Sequence, residues 1–170
     1  VSLAAVDAPP ELKGIETRTG DAYVPYGAIK GPLRDVAALD GSGLACSPLP
    51  DYSLLGAFAL ILRGECLFSQ KVANAEAAGA AGVIFYMADD SPLVSPGGLG
   101  SSWTPAAMIS NAAGVALKKY LAEHPEAEVI LDPNGDEEDY PYPDELASFS
   151  SRGPAQGDAS LKPELVAPGT

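Results

Sequence analysis

Ala57-Phe58-Ala59-Leu60-Ile61-Leu62 runs without a polar residue into Arg63-Gly64-Glu65-Cys66-Leu67-Phe68, and Val83-Ile84-Phe85-Tyr86-Met87 follows after an alanine-rich segment. An uninterrupted apolar run of this length suits a strand covered on both faces, which is the usual state of strands in a parallel sheet. Arg63-Gly64-Glu65 breaks the first run. Between the two, Ser69 to Ala80 places Val72, Ala75, Ala78 and Gly79 at helical spacing, with Gly79 and Gly82 to end the helix. Strand, helix and strand within about 30 residues is the length of a crossover between parallel strands. The fold class read from this stretch is α/β.

Outward from this unit the pattern is weaker. Leu3 to Val6 reads as a strand stopped near Pro9-Pro10, and Ala22-Tyr23-Val24 as a second short strand before a stretch punctuated by Gly and Pro up to Pro50. Ala88 to Thr104 is a long loop rich in Gly, Ser and Pro, with the only tryptophan, Trp103, near its end. Ala106 to Ser110 suits a strand. Asn111 suits an N-cap for a helix reaching Glu123, with Ala113, Ala116, Leu117, Tyr120 and Leu121 on one face. Glu128 to Leu131 closes the set. The segment from Asp132 to Pro143 is acidic and has no apolar period, so a domain boundary is expected there, and Leu146 to Thr170 is too short to fold alone.

The chain has 170 residues and is 46% hydrophobic, enough for one domain with a substantial core. Its formal charge of −13 opposes phosphate backbones and anionic lipid, so neither nucleic acid nor membrane is an expected partner. No apolar run reaches membrane-spanning length. The start, Val1-Ser2-Leu3-Ala4, has neither an initiator Met nor the pattern of a signal peptide, and the chain is read as a piece excised from a longer protein. Cys46 and Cys66 are either one disulfide of an oxidising compartment or two unrelated buried thiols. A bridge closing about 20 residues would stabilise the fold by roughly 3 kcal/mol. Zinc is not expected, because the only histidine, His124, lies far from both cysteines; its expected role is structural, at a helix C-terminus. Asp132-x-Asn134-x-Asp136 has the opening rhythm of a calcium loop but carries Pro133 and lacks glycine at the sixth position, so an acidic turn is expected. There is no His-Glu-x-x-His, no Gly-x-Ser-x-Gly, and Gly97-Gly98-Leu99-Gly100 follows no strand. No cofactor or metal is expected.

Two stretches resemble known families. Leu60 to Lys71, with Arg63-Gly64-Glu65-Cys66-Leu67-Phe68-Ser69-Gln70-Lys71, followed by Ala75 to Ile84, is similar to the core of protease-associated domains: an apolar strand, Arg-Gly-x-Cys-x-Phe-x-x-Lys, then Ala-x-x-Ala-Gly-Ala-x-Gly-Val-Ile. The resemblance implies that Cys46 is the partner of Cys66. It also implies a small mixed sheet, closed like a flattened barrel and flanked by two helices. Ser148 to Pro154 and Leu161 to Thr170 look like the segment of subtilisin-like proteases (subtilases) before the catalytic serine, with Glu164 where the family usually has Asp. Together they imply an entry segment over 1–23, a protease-associated domain over 24–131, an acidic linker over 132–145 and a catalytic-domain fragment over 146–170. None of the triad or the oxyanion asparagine is implied in this chain, so no catalytic residue is assigned. The implied role is binding: a non-catalytic module of a secreted serine endopeptidase that recruits protein or peptide substrate or controls its access. Its partners would be that substrate and the remaining catalytic domain. Dimerisation with a second copy is the other reading. Trp103 is the candidate contact, or else it packs on the domain's own core.

Overall fold

The computed structural model describes residues 2–134. The acidic linker from residue 135 onward, Asp136, and both parts of the Ser148 to Thr170 motif lie outside the described residues.

Among the described residues seven strands form one sheet: β1 (Ser2–Ala5), β2 (Ile15–Glu16), β3 (Ile29–Asp35), β4 (Phe58–Leu62), β5 (Gly82–Tyr86), β6 (Ala106–Ile109) and β7 (Glu128–Asp132). Their order is β2-β1-β7-β3-β4-β5-β6, with β3 to β6 mutually parallel and β2, β1, β7 and β3 joined by antiparallel pairs. Just past β2, the amide of Arg18 donates to the Met108 carbonyl (2.9 Å) and the Met108 amide donates back (2.8 Å). That bridge ties one edge of the sheet to the other, so the sheet nearly closes as a flattened barrel. The helices are α1 (Ala37–Asp40), α2 (Phe68–Ala77) and α3 (Asn111–Glu123), and Pro10–Leu12 is a single 3-10 turn.

The apolar runs are explained by burial on both faces. Ala59, Ile61, Val83, Phe85 and Met87 pack in one cluster with Val72 and Ala75 of α2. Phe58, Leu60, Ile84 and Tyr86 face the other way, into a cluster with Leu117 of α3 and Leu3, Leu33, Val129 and Leu131 of the antiparallel strands. Phe68 anchors α2 by an edge contact on Phe85, with centroids 4.9 Å apart. Two glycines are required by approach rather than by turns. A Cβ on Gly82 would lie 2.3 Å from the Phe58 ring, and one on Gly114 would lie 2.4 Å from Tyr86 Cβ. They set how closely β5 approaches β4 and α3 approaches β5.

Three local expectations need correction. Ala22-Tyr23-Val24 is irregular, because no neighbouring strand offers it a hydrogen-bond ladder. Its Ala22 is nevertheless buried. Ile29–Asp35, read as part of a punctuated stretch, is the longest strand among the described residues. Two of the residues that punctuate it serve packing: a Cβ on Gly31 would come within 3.0 Å of the Gly56 carbonyl, and Pro32 stands where the strand changes partner. Residues 29–32 pair with β7 and 33–35 with β4. Proline lacks the N–H that an uninterrupted central ladder would need. The N-cap of α3 is Ser110, whose hydroxyl accepts from the Ala113 amide (3.1 Å), while Asn111 donates its side-chain amide to the Met87 carbonyl (2.8 Å).

Candidate binding surface

Two polar constructions stand at opposite ends of the parallel strands. The first follows the C-terminal end of β4, where Cys46 and Cys66 are joined as a disulfide with Cα atoms 5.8 Å apart. The segment carrying Cys46 is held from both sides. The Asp40 carboxylate accepts from the amides of Ser42 (2.8 Å), Gly43 (2.6 Å) and Ala45 (2.8 Å). From α2, Gln70 donates to the Cys46 carbonyl (2.7 Å), Asn74 to that of Ala45 (2.8 Å), and Lys71 to that of Leu44. Lys71 also donates to the Leu62 carbonyl at 3.1 Å, at the end of β4. Residues 70, 71 and 74 share one helix face, which is why the segment lies along α2. Lys71 is wholly buried. Burial pushes its pKa down, against the attraction of Asp40 and Glu65. Burial opposes the charge of Asp40 too, but the three amides together outweigh it and hold its carboxyl below the ordinary range. This end is a scaffold: each of these polar groups is spent on backbone.

The second construction lies on the loops that enter the parallel strands. Val24 and Tyr26 precede β3, Tyr52 and Leu55 precede β4, and Trp103 precedes β6, and all five are exposed. Because β3, β4 and β6 run in one direction, these residues crown one end of the barrel. Trp103 is 81% exposed and touches Tyr23, with ring centroids 5.7 Å apart and planes inclined at 53°. Its loop is fastened at two points. The Asp21 carboxylate accepts from the amides of Gly98 (3.1 Å) and Leu99 (2.9 Å), joining the Tyr23 loop to the Trp103 loop. Ser102 donates its hydroxyl to Glu76 of α2 and accepts from the Thr104 amide (3.0 Å). The Leu99 amide, with smaller help from Gly98 and Gly100, keeps the Asp21 carboxyl below the usual range. Trp103 is thus exposed beside a half-buried Tyr23, and with both loops fastened little loop entropy would be lost if a partner bound here.

The two cysteines are thus brought together, and Trp103 stands apart from them at the far end, outside the core. Sequence reasoning missed Asp21, Tyr23, Tyr26 and Glu76 as members of its surface. The available signal was the run Tyr23-Val24-Pro25-Tyr26, whose proline and bulky residues without helical or strand period suit an exposed loop. His124 caps α3 with its ring stacked on Tyr120 at 4.2 Å. Asp132 accepts from the Asn134 amide (2.9 Å) in a local turn, and among the described residues no group of three or more His, Cys, Asp or Glu is placed to hold a metal ion. Among them also, no helix is long and apolar enough to cross a membrane.

Comparison with known proteins gives the family. The model of the PA domain matches residues 15–117. A C5a peptidase of Streptococcus pyogenes is 36% identical over 120 residues, covering 67% of this chain and 9% of that protein. The receptor homology region, transmembrane domain- and RING domain-containing protein 1 of Oryza sativa subsp. japonica is 39% identical over 94 residues, covering 52% of this chain and 17% of that protein. Among solved structures, the aminopeptidase from Aneurinibacillus sp. strain AM-1 superposes with a TM-score of 0.56 at 26% identity, over 78% of this chain and 30% of that one. The chain therefore spans less than a fifth of the length of these two curated relatives. With the matched segment containing both cysteines, Lys71 and Trp103, the chain belongs to the PA, or protease-associated, domain family.

Proposed function

We propose that the chain is the non-catalytic protein-binding module of a secreted subtilisin-like serine endopeptidase, where it recruits protein substrates or controls their access to the cleft. The observation that carries this reading is Trp103, held outward beside Tyr23 on a loop fastened by Asp21 and Glu76. An apolar side chain of this size loses roughly 1.5–3 kcal/mol of burial free energy by remaining in water. A partner surface recovers it. Support for the host comes from the Ser148 to Pro154 and Leu161 to Thr170 motif and from the peptidase among the relatives. In that host the reaction is peptide-bond hydrolysis, and the module supplies none of its reacting groups.

The test uses the intact protease with and without Trp103→Ala. Hydrolysis of a folded protein should lose several-fold in kcat/KM, while a short chromogenic peptide should be cleaved unchanged. Equal effects on both substrates would sink the reading. Secretion carries its own check on the cysteines. Thiol titration of the unreduced chain in denaturant should find none, and two thiols per chain would remove the oxidising compartment from the account.

A further inference from the structure

The fastened aromatic pair stands in a one-sided electrostatic setting. No Lys, Arg or His occurs from Thr19 to Ile29, from Asp35 to Leu62 or from Val72 to Leu117, the stretches whose loops build this end, and Arg18 and Lys30, which border the first, pair with Glu16 and Glu128. The carboxylates nearest the pair in the bonding scheme are Asp21, which holds the Trp103 loop by the amides of Gly98 and Leu99, and Glu76, which holds Ser102, the residue before Trp103. The ion pairs among the described residues are Arg18–Glu16, Lys30–Glu128 and Lys118–Asp35, so neither of these carboxylates is neutralised by a cation of its own module. Hydrogen bonds from amides fix their position without cancelling their charge. Exposed aromatic faces attract cations through the ring quadrupole, most strongly on tryptophan, and uncompensated carboxylates nearby reinforce that attraction.

We propose that Trp103 and Tyr23, flanked by the Asp21 and Glu76 carboxylates, form a docking site for peptide segments that carry arginine or lysine beside apolar side chains. The cationic head lies over the Trp103 or Tyr23 ring within reach of the carboxylates. The adjoining aliphatic side chains cover Val24 and Tyr26. The proposal rests on the protein-binding reading above and narrows it to one class of segment. It accounts for charge and exposure together: a purely apolar partner would leave both carboxylates desolvated and unpaired, which is costly.

Trp103 is the only tryptophan of the chain, so its emission reports the site directly. The 170-residue chain is titrated with the blocked peptide Ac-Gly-Leu-Arg-Leu-Arg-Gly-NH2 and with a twin carrying citrulline for each arginine. The expected result is a saturable change in Trp103 emission with the arginine peptide. Affinity should fall at least fivefold for the citrulline twin, fall again as salt is raised, and drop about threefold in Glu76→Gln, with an unchanged circular dichroism spectrum. Equal binding of the two peptides would overturn the charge recognition while leaving a protein-binding surface in place. Binding of a Trp-free unfolded protein with no response to either peptide would place the contact elsewhere and overturn the proposal alone. No response to peptides or unfolded protein would overturn both readings. An emission change that tracks the chain's own concentration would make a second copy the occupant and overturn it likewise.

Discussion

Lys71 shows how a single residue of the motif organises the module. A buried lysine with a depressed pKa in a domain that some peptidases carry invites a catalytic reading, since such lysines serve as bases elsewhere. Its bonds argue otherwise: the ammonium is consumed by the carbonyls of Leu44 and Leu62, at the two sides of the disulfide-bearing loop. Asp40 completes the same unit by taking three amides. Since its folded carboxyl lies below the ordinary value, the unfolded chain binds more protons through that window, and stability rises with pH there. The contribution is fully present above about pH 4 and is lost as pH falls through the folded value. Asp40→Ala should therefore cost roughly 1–2 kcal/mol at neutral pH, in the range of a lost carboxylate cap. The difference from the parent should shrink below pH 4. Urea unfolding at pH 7 and pH 3 measures it, and a constant difference would show that Asp40 acts through packing alone.

At the scale of elements, what the sequence made legible was the two-faced apolar strands and the helix between them, because burial leaves a pattern that needs no partner to be recognised. Strand β3 was illegible for the converse reason. Gly31 and Pro32 serve neighbours distant in sequence, namely Gly56 and the exchange of partners between β7 and β4. Ala22 to Val24 erred in the opposite sense, with strand-forming residues but no ladder to join. For the surface, Trp103 was legible as a lone tryptophan in a polar loop. Tyr23, Asp21 and Glu76 were not, since the Asp21 bond to Leu99 spans 78 positions. Gly114 offers a clean test of packing against propensity. Glycine inside a helix ordinarily costs about 1 kcal/mol relative to alanine. Here the added methyl meets Tyr86 at 2.4 Å, and overpacking typically costs 1–3 kcal/mol. Gly114→Ala should consequently lower the melting temperature by several degrees, and a rise would mean that α3 shifts to accommodate it.

The whole module is larger than the motif that reveals it. Residues 2–16 supply β1 and β2, and they place Leu3, Ala5, Leu12 and Ile15 in the core. β1 pairs with β7 from Ser2↔Asp132 to Ala5↔Val129, so the segment leaving the sheet lies beside the one that enters it. A protein trimmed to 24–131 would strip those four side chains and bare one edge of β7. At about 1.5–3 kcal/mol each, the loss of Leu3, Leu12 and Ile15 alone is comparable to the whole stability of about 5–15 kcal/mol typical of a domain. It should show no cooperative unfolding transition, whereas residues 2–132 should show one. Two equally cooperative transitions would return the first strands to a neighbouring domain. This barrel presents its scaffold at one end and its aromatic loops at the other, and it is the aromatic end that we propose binds protein. The most direct measurement is the emission of Trp103 during titration with an unfolded, tryptophan-free protein such as reduced and alkylated ribonuclease A. The account predicts a saturable blue shift as the indole leaves water, with Tyr23→Ala weakening the interaction. An emission spectrum that stays unchanged while a labelled copy of the same unfolded protein binds the chain would contradict it.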